Sequence, residues 1–163
     1  MVSLRWLIRG SLNQRAKLRK RGLALAKSLA LNDGDELSIA VCADRRMRTL
    51  NRRYRGEDRA TDVLAFPADE IALLLVEGGS VGVHLRTHPQ VVLGDVVINY
   101  RQVERQARAN GNRVADELGA MLVHGVVHLL GFDHNSAVEE NRMLDLERRM
   151  HKFLGLEVRQ FGH

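Results

Sequence analysis

A stretch of eleven residues, HGVVHLLGFDH from His124 to His134, constrains the fold and chemistry of this chain more than any other. Residues four apart on an α-helix lie on one face, so His124 and His128 can direct ring nitrogens to one point. Glycine commonly ends a helix in the left-handed conformation. Gly131 therefore predicts a reversal of the chain that returns His134 to the same point.

Three convergent imidazoles are typical of a zinc site. Zn–N bonds measure about 2.0–2.1 Å, and three protein ligands leave one tetrahedral position for water, as in catalytic sites. We therefore expect one Zn²⁺ ion per chain, held by His124, His128 and His134. Imidazole ligands also accept nickel, cobalt and iron, so the metal used in the cell stays open. Asp133 adjoins a ligand and is a candidate for orienting a histidine ring or for capping the turn.

The spacing H-x-x-x-H-x-x-G-x-x-H also resembles the metzincin peptidase signature, in which a glutamate after the first histidine is the general base. Gly125 occupies that position here, which disfavours peptidase activity. Glu117 shares the His124 face but lies about 10 Å away along the helix axis, too far to contact metal-bound water. Without a nearby carboxylate base, the metal ion itself must activate the water or the substrate. This favours a phosphodiester substrate, because a cation can stabilise the negative charge that develops on it.

Apolar periodicity predicts an α+β fold, with strands early and helices dominating the end. The segment 68–92 is hard to assign to any element. The chain length suits a single domain, 1–163. We expect strands at Ser3–Ile8, Leu37–Ala43, Val63–Phe66 and Leu93–Asn99, and helices at Leu12–Ala30, at a short segment capped by Asp44, and at Tyr100–Asn110, Val114–Leu130 and Ala137–Leu154.

Composition limits the cellular compartment and the classes of binding partner expected for this chain. No apolar stretch reaches the ~20 residues of a membrane span, and Trp6-Leu7-Ile8 is too short for a secretory signal core. A single cysteine, Cys42, excludes an internal disulfide and fits a reducing compartment, so we expect the cytoplasm. The first 60 residues carry 15 Lys and Arg against 6 Asp and Glu. This imbalance indicates either a surface that faces a polyanion or a set of solvated helix faces.

Three segments together resemble the YbeY family of bacterial endoribonucleases. The first is HGVVHLLGFDH, similar to the family's H-G-x-x-H-L-x-G-[YF]-D-H. The second is LNRRYRGEDRATDVLAFP, from Leu50 to Pro67, similar to L-N-x-x-[YF]-R-x-x-D-x-x-T-[DN]-V-L-S-F-P. The third is LGDVVIN, from Leu93 to Asn99, similar to L-G-D-[IV]-x-I. The first ~35 residues carry no such motif.

The resemblance implies a small mixed β-sheet surrounded by helices, with a zincin-like metal helix and zinc at the end of a cleft. It implies single-strand-selective RNA cleavage in 3′-end maturation of small-subunit ribosomal RNA and in ribosome quality control. The implied partners are single-stranded RNA, ribosomal RNA and the small ribosomal subunit. The three histidines are carried over as metal ligands and Arg55 as the catalytic arginine. No RNA-binding residues are assigned.

The residues themselves leave alternatives open. Without the motif, Arg55 is one of four nearby arginines. Asp58, Thr61 and Asp62 are interpreted as turn and cap residues, with a position lining the cleft as the alternative. We interpret Asp95 as a strand-end hydrogen-bonding partner and not as a catalytic residue. The sequence departs from the family pattern at Ala65, at Asn99 and in the long segment that contains His84 and His88, which we interpret as loop residues. A zinc peptidase, or a non-catalytic ribosome-associated protein with structural zinc, remains an alternative function.

Overall fold

A computed structural model describes residues 2–7, 12–29, 31, 34–68, 92–132 and 136–157. These residues form a mixed α+β structure with a four-stranded sheet and five helices, in agreement with the predicted fold class. The elements in chain order are β1 (Val2–Trp6), α1 (Leu12–Ser28), β2 (Glu36–Cys42), α2 (Asp44–Arg55), β3 (Val63–Pro67), β4 (Val92–Asn99), α3 (Tyr100–Asn110), α4 (Val114–Leu129) and α5 (Ala137–Phe153).

The sheet has the strand order β1-β2-β4-β3. β1 is parallel to β2 and β2 is parallel to β4, whereas β3 is antiparallel to β4. Parallel neighbours need a long crossover connection, and α1 provides the one between β1 and β2. The sheet is therefore mixed, as the resemblance implies.

The two faces of the sheet carry different helices because successive side chains of a strand point to opposite faces. On β4, Val96 and Ile98 belong to the larger core, which also contains buried residues of α1, α3, α4 and α5. Val97 points to the other face and packs in a smaller core with Met47 of α2. Helix α2 thus lies across the sheet from α4.

Helix α4 is the central helix of the larger core. Every residue from Asp116 to Val127 is buried, and the helix packs against α1, α3, α5, β3 and β4. A helix that is apolar almost all round is expected to be enclosed by other elements. Polar side chains on α4 are therefore held in a fixed, water-poor setting. No described helix has the length and apolarity that crossing a membrane requires.

Several predicted boundaries differ from the structure by one or two residues. The first strand covers Val2–Trp6 instead of Ser3–Ile8, and α1 ends at Ser28 instead of Ala30. Helix α3 has the predicted bounds. The strand predicted at Val63–Phe66 continues to Pro67. Residues 69–91, with His84 and His88, lie outside the described residues.

The prediction that Asp44 caps a helix is wrong. Ala43 occupies the N-cap position of α2, and no side chain caps this end. The Asp44 carboxylate instead accepts hydrogen bonds from Asn99 Nδ2 at 2.8 Å and from the Arg105 guanidinium. The hydrogen bond from Arg105 is the main reason that the pKa of Asp44 is lowered. Long-range partners thus prevail over the local capping preference of aspartate.

Candidate active site

Helix α4 brings His124 and His128 together near its C-terminal end. The two rings are nearly perpendicular, with an interplanar angle of 89° and centroids 4.5 Å apart. Their Nε2 atoms face each other at 3.1 Å. His124 is 7% exposed and His128 is half-buried. The two histidines thus present two nitrogen atoms to one point at the margin of the core.

The other nitrogen of each ring has its own partner. His124 Nδ1 lies 2.7 Å from Glu147 Oε1, and His128 Nδ1 lies 2.9 Å from the carbonyl oxygen of Phe132. A carbonyl and a carboxylate accept hydrogen bonds, so both Nδ1 atoms donate. In neutral rings, both Nε2 atoms then carry lone pairs. Lone pairs that face each other at 3.1 Å repel, unless a proton or a metal ion lies between them.

This donor set fits a divalent ion. Two nitrogens bound at about 2.0–2.1 Å with a tetrahedral angle lie about 3.3–3.4 Å apart, close to the observed separation. Metal-bound histidines usually donate the other ring N–H to a carboxylate or a backbone carbonyl, which fixes the tautomer and the ring orientation. His124 and His128 each show one of these two arrangements.

Glu147, which the sequence analysis did not identify, is part of the site. It lies on α5 and is 2% exposed, among Met143, Leu146 and Met150 on the buried face of that helix. A carboxylate is rarely buried without a partner, and the His124 ring provides one. The signal was present in the sequence: position 147 falls on the apolar face of a predicted helix. Only the packing of α5 on α4 shows what it contacts.

The helix stop predicted at Gly131 is confirmed. Helix α4 ends at Leu129, and Gly131 has a φ of +83°, in the left-handed region. The Gly131 N–H donates to the His128 carbonyl oxygen at 2.9 Å. The same turn brings the Phe132 carbonyl to His128. Asp133 and His134 follow at once and lie outside the described residues.

The third ligand therefore stays a prediction. Among the residues that the structure describes, no group of three histidine, cysteine, aspartate or glutamate side chains is placed to hold a metal ion. His134 follows the turn at Gly131 by three residues. The reversal at Gly131 is the one that the three-histidine hypothesis requires.

Gly125, between the two histidines, faces the sheet. A Cβ atom at this position would lie 2.5 Å from Val96 Cγ1 and 3.1 Å from Val63 Cγ2. Real Cβ atoms do not approach side chains within 3.0 Å without displacing them. The position that carries the general base in metzincin peptidases therefore points into the core here. No glutamate fits there while α4 stays at its present distance from β4.

Arg55 is the last residue of α2 and is exposed. After it, Gly56 ends the helix with a φ of +74°, and the chain leads to Val63, the β3 residue beside Gly125. The connection therefore begins on the face of the sheet that packs against α2. It ends at the strand residue beside Gly125, which lies between the two histidines in the sequence. The structure shows no contact between Arg55 and either ring, and its catalytic role stays a prediction.

The neighbouring arginines are engaged elsewhere. Arg59 Nε donates to Glu57 at 2.8 Å, and the Arg53 guanidinium lies 5.4 Å from the centre of the Tyr54 ring. Arg52 lies 4.0 Å from Asp58. Arg55 has no hydrogen bond or ion pair with any residue in the described ranges. The hydrogen bond from Arg59 is the main reason that the pKa of Glu57 is lowered, and the nearby charge of Arg55 contributes to the same shift.

The other polar residues in the motifs stabilise the local structure. Asp62 accepts hydrogen bonds from the Val63 N–H and from the Thr61 hydroxyl, whereas Asp58 forms two hydrogen bonds with Arg48. Asp95 is exposed within β4, not at a strand end as predicted. Ala65 packs against the larger core.

Asn99 has several partners. Its Nδ2 donates to the Asp44 carboxylate and to the Thr61 carbonyl at 2.9 Å, and its side chain accepts from the Arg101 N–H. Asn99 is fully buried. This residue, unusual for the family pattern, thus caps α3 and joins it to α2 and to the connection before β3.

Comparisons with known proteins agree with this architecture. The sequence profile of the family described as Endoribonuclease YbeY matches residues 10–155. The chain is 40% identical over 140 residues to Endoribonuclease YbeY of Anaeromyxobacter dehalogenans, covering 86% of this chain and 64% of that protein. It is 38% identical over 129 residues to the Listeria welshimeri protein of the same name, covering 79% of each chain. The solution structure of a Thermotoga maritima protein shares the fold, with a TM-score of 0.61 at 22% identity, over 94% of this chain and 89% of that one. This chain belongs to the endoribonuclease YbeY family.

Proposed function

We propose that this protein is a zinc-dependent endoribonuclease that cleaves single-stranded RNA in the cytoplasm. Its substrate would be ribosomal RNA of the small subunit, with roles in maturing the 3′ end and in ribosome quality control. Family membership supports the RNA-cleaving activity. The basic N-terminal part of the chain supports a polyanionic substrate, because Lys and Arg neutralise backbone phosphates.

The paired imidazoles carry the zinc proposal. Two Nε2 atoms lie 3.1 Å apart, each on a ring whose Nδ1 has an acceptor, and this arrangement supports the proposal that both bind one ion. His134 would be the third ligand. Three histidines leave one position open to water or to a phosphate oxygen, which distinguishes a catalytic zinc site from a structural one.

The bound metal ion and the groups around the histidine pair would each have a separate role in RNA cleavage. When bound, zinc would supply Lewis-acid chemistry, by lowering the pKa of water to about 7 or by polarising the phosphate. Glu147 and the Phe132 carbonyl hold the two rings in one tautomer and orientation. Arg55 would form a bidentate pair with phosphate oxygens and stabilise the charge that develops in the transition state.

The two alternative functions are less well supported. A peptidase of the metzincin type needs a carboxylate beside the first histidine, and the sheet occupies that space at Gly125. A structural zinc site needs a fourth protein ligand. Within the described residues, Glu147 binds the Nδ1 side of His124, away from the point where the Nε2 atoms meet.

The test compares purified protein on single-stranded RNA, duplex RNA and an unstructured polypeptide, with metal content measured on the same samples. We expect cleavage of single-stranded RNA alone, lost in His128→Ala together with the metal. Arg55→Glu should lose cleavage and keep the metal, whereas Arg52→Glu, on the exposed surface of the same helix, should keep both. Cleavage of the polypeptide, or RNA cleavage that survives in His128→Ala, would contradict the proposal.

A further inference from the structure

A groove of about 390 Å³ lies between α1, the start of α4 and the end of α5. Its volume falls in the range of sites that hold small organic groups, about 300–1,000 Å³. It lies at the opposite end of α4 from the histidine pair. Ala115, on the groove, and His128 are about 20 Å apart along the helix axis at 1.5 Å per residue.

Four cationic side chains line the groove, beside alanine, leucine, glycine and phenylalanine residues. Lys17, Lys20 and Arg21 project from α1, and Arg113 precedes α4. Helix α1 carries six Lys and Arg residues and no acidic residue, so no carboxylate on the same helix neutralises its positive charge. Lys17 and Lys20 are both exposed, and neither forms an ion pair within the described ranges. They lie three residues apart, on one face of the helix.

Among the described lining residues, the one acidic side chain is already neutralised. Asp116 is 2% exposed, and its carboxylate binds the guanidinium groups of both Arg21 and Arg113. Arg21 lies against α4 where Gly119 has no side chain; a Cβ there would lie 3.0 Å from Arg21 Cδ. The fixed Arg21–Asp116 pair thus forms the floor of the groove, and the two lysines remain available to an anion.

An exposed aromatic ring completes the groove. Phe153, the last residue of α5, lines it and is 59% exposed. An exposed phenyl ring beside two lysines that have no ion-pair partner among the described residues matches the way that proteins bind single-stranded nucleic acid, with basic groups along the backbone and aromatic rings stacked on bases. An acidic protein surface would provide negative charge for the lysines but no nucleobase on which the phenyl ring could stack.

We propose that this groove binds the sugar–phosphate backbone of the single-stranded RNA substrate, at a distance from the cleavage site. Lys17 and Lys20 contact phosphates, and Phe153 stacks on a base. The inference rests on the proposed function and extends it: substrate is held at two places along α4. At about 3.4 Å per stacked nucleotide, the separation of about 20 Å corresponds to at least about six nucleotides.

Binding is tested in a His128→Ala background, so that the RNA stays intact, with a fluorescent 20-nucleotide single strand. We expect Lys17→Ala/Lys20→Ala to weaken binding about tenfold near physiological salt and to lower the slope of log K against log salt by about 1.4, since each phosphate contact contributes about 0.7. Phe153→Ala should weaken binding severalfold with the slope unchanged, because stacking releases no counterion.

The matched control is Arg108→Ala/Arg148→Ala, which removes two exposed cations from α3 and α5, outside the groove. We expect this variant to bind RNA nearly as the parent does. In the cleaving protein, Lys17→Ala/Lys20→Ala should raise KM for the 20-nucleotide RNA and leave cleavage of a tetranucleotide unchanged, because the tetranucleotide cannot reach both places.

Three results would overturn the inference: unchanged RNA affinity in the lysine variant, an equal loss in the arginine control, or competition by poly-glutamate as effective as that by RNA of equal charge. The last result would indicate an acidic protein partner instead. Because binding is measured without turnover, a failure to cleave any RNA would refute the proposed function and still leave the groove tested.

Discussion

Glu147 offers the sharpest test of the site. It is a buried carboxylate 2.7 Å from His124 Nδ1, on a different helix from the two histidines. Replacement of a group that orients a metal-bound histidine typically weakens metal binding 10- to 100-fold, or about 1.4–2.7 kcal/mol. Glu147→Met removes both the acceptor and the charge, so we expect a loss near the upper end of that range.

Glu147→Gln separates the two contributions. The amide oxygen can still accept from His124 Nδ1, but the negative charge that raises the basicity of the ring is gone. We expect zinc affinity to fall about tenfold, with the order wild type, Gln, Met. Zinc affinity is measured by competition with a chromogenic chelator, and the unfolding free energy of the metal-free protein is measured alongside it.

The matched control is Asp145→Asn on the same helix, where the side chain is 57% exposed and pairs with Arg149. Surface pairs of this kind contribute about 0–1 kcal/mol, so neither the metal affinity nor the stability is expected to change appreciably. Wild-type zinc affinity in folded Glu147→Met would refute the orienting role of the carboxylate. A drop in stability with no change in zinc affinity would make Glu147 a core residue only.

Three further predictions concern the core. Gly125→Ala would place a Cβ 2.5 Å from Val96 Cγ1, an overpacking that typically costs about 1–3 kcal/mol; equilibrium unfolding should show most of the loss relieved in Gly125→Ala/Val96→Ala, and strictly additive effects would contradict the contact. Burial raises the pKa of Glu117, so the stability that its protonated form contributes is present below pH 4.5 and is lost as the pH rises through the folded-state pKa. Glu117→Gln should therefore become more stable relative to wild type as the pH rises. A stability gain that does not depend on pH would refute this reasoning. Burial also raises the pKa of Cys42 to about 11, so alkylation at pH 8 should be slow until denaturant unfolds the protein, and labelling at the rate of an exposed thiol would be inconsistent with its burial.

Local sequence patterns predicted the elements well. Helix α3 has the predicted bounds, α4 and α5 each end one residue early, and the reversal at Gly131 is present. These features depend on apolar periodicity and on the conformational freedom of glycine, which act within a few residues. Family membership confirms the resemblance stated from the motifs and the enzyme class that it implied.

The features that the sequence did not predict depend on contacts between distant segments. Glu147 lies 23 residues from the histidine that it binds. Asn99 donates to Asp44, 55 residues away, and displaces the capping role that local propensity assigns to that aspartate. Periodicity shows that a polar residue lies on a buried face, but the partner is set by how helices pack. Glu147, which orients His124, is of this second kind, whereas the Phe132 carbonyl lies only four residues from His128.

Gly125 explains why a helix that carries two histidines at this spacing need not belong to a peptidase. The absence of a side chain lets α4 approach Val63 and Val96 of the sheet, and this close packing fixes the helix that carries both histidines. The same packing fills the space in which a peptidase holds its general base. The rigidity of the site and the lack of an adjacent carboxylate thus have one cause. A cationic side chain that contacts the phosphodiester would have to come from outside α4, and the connection from Arg55 to Val63 leads to the strand residue beside Gly125.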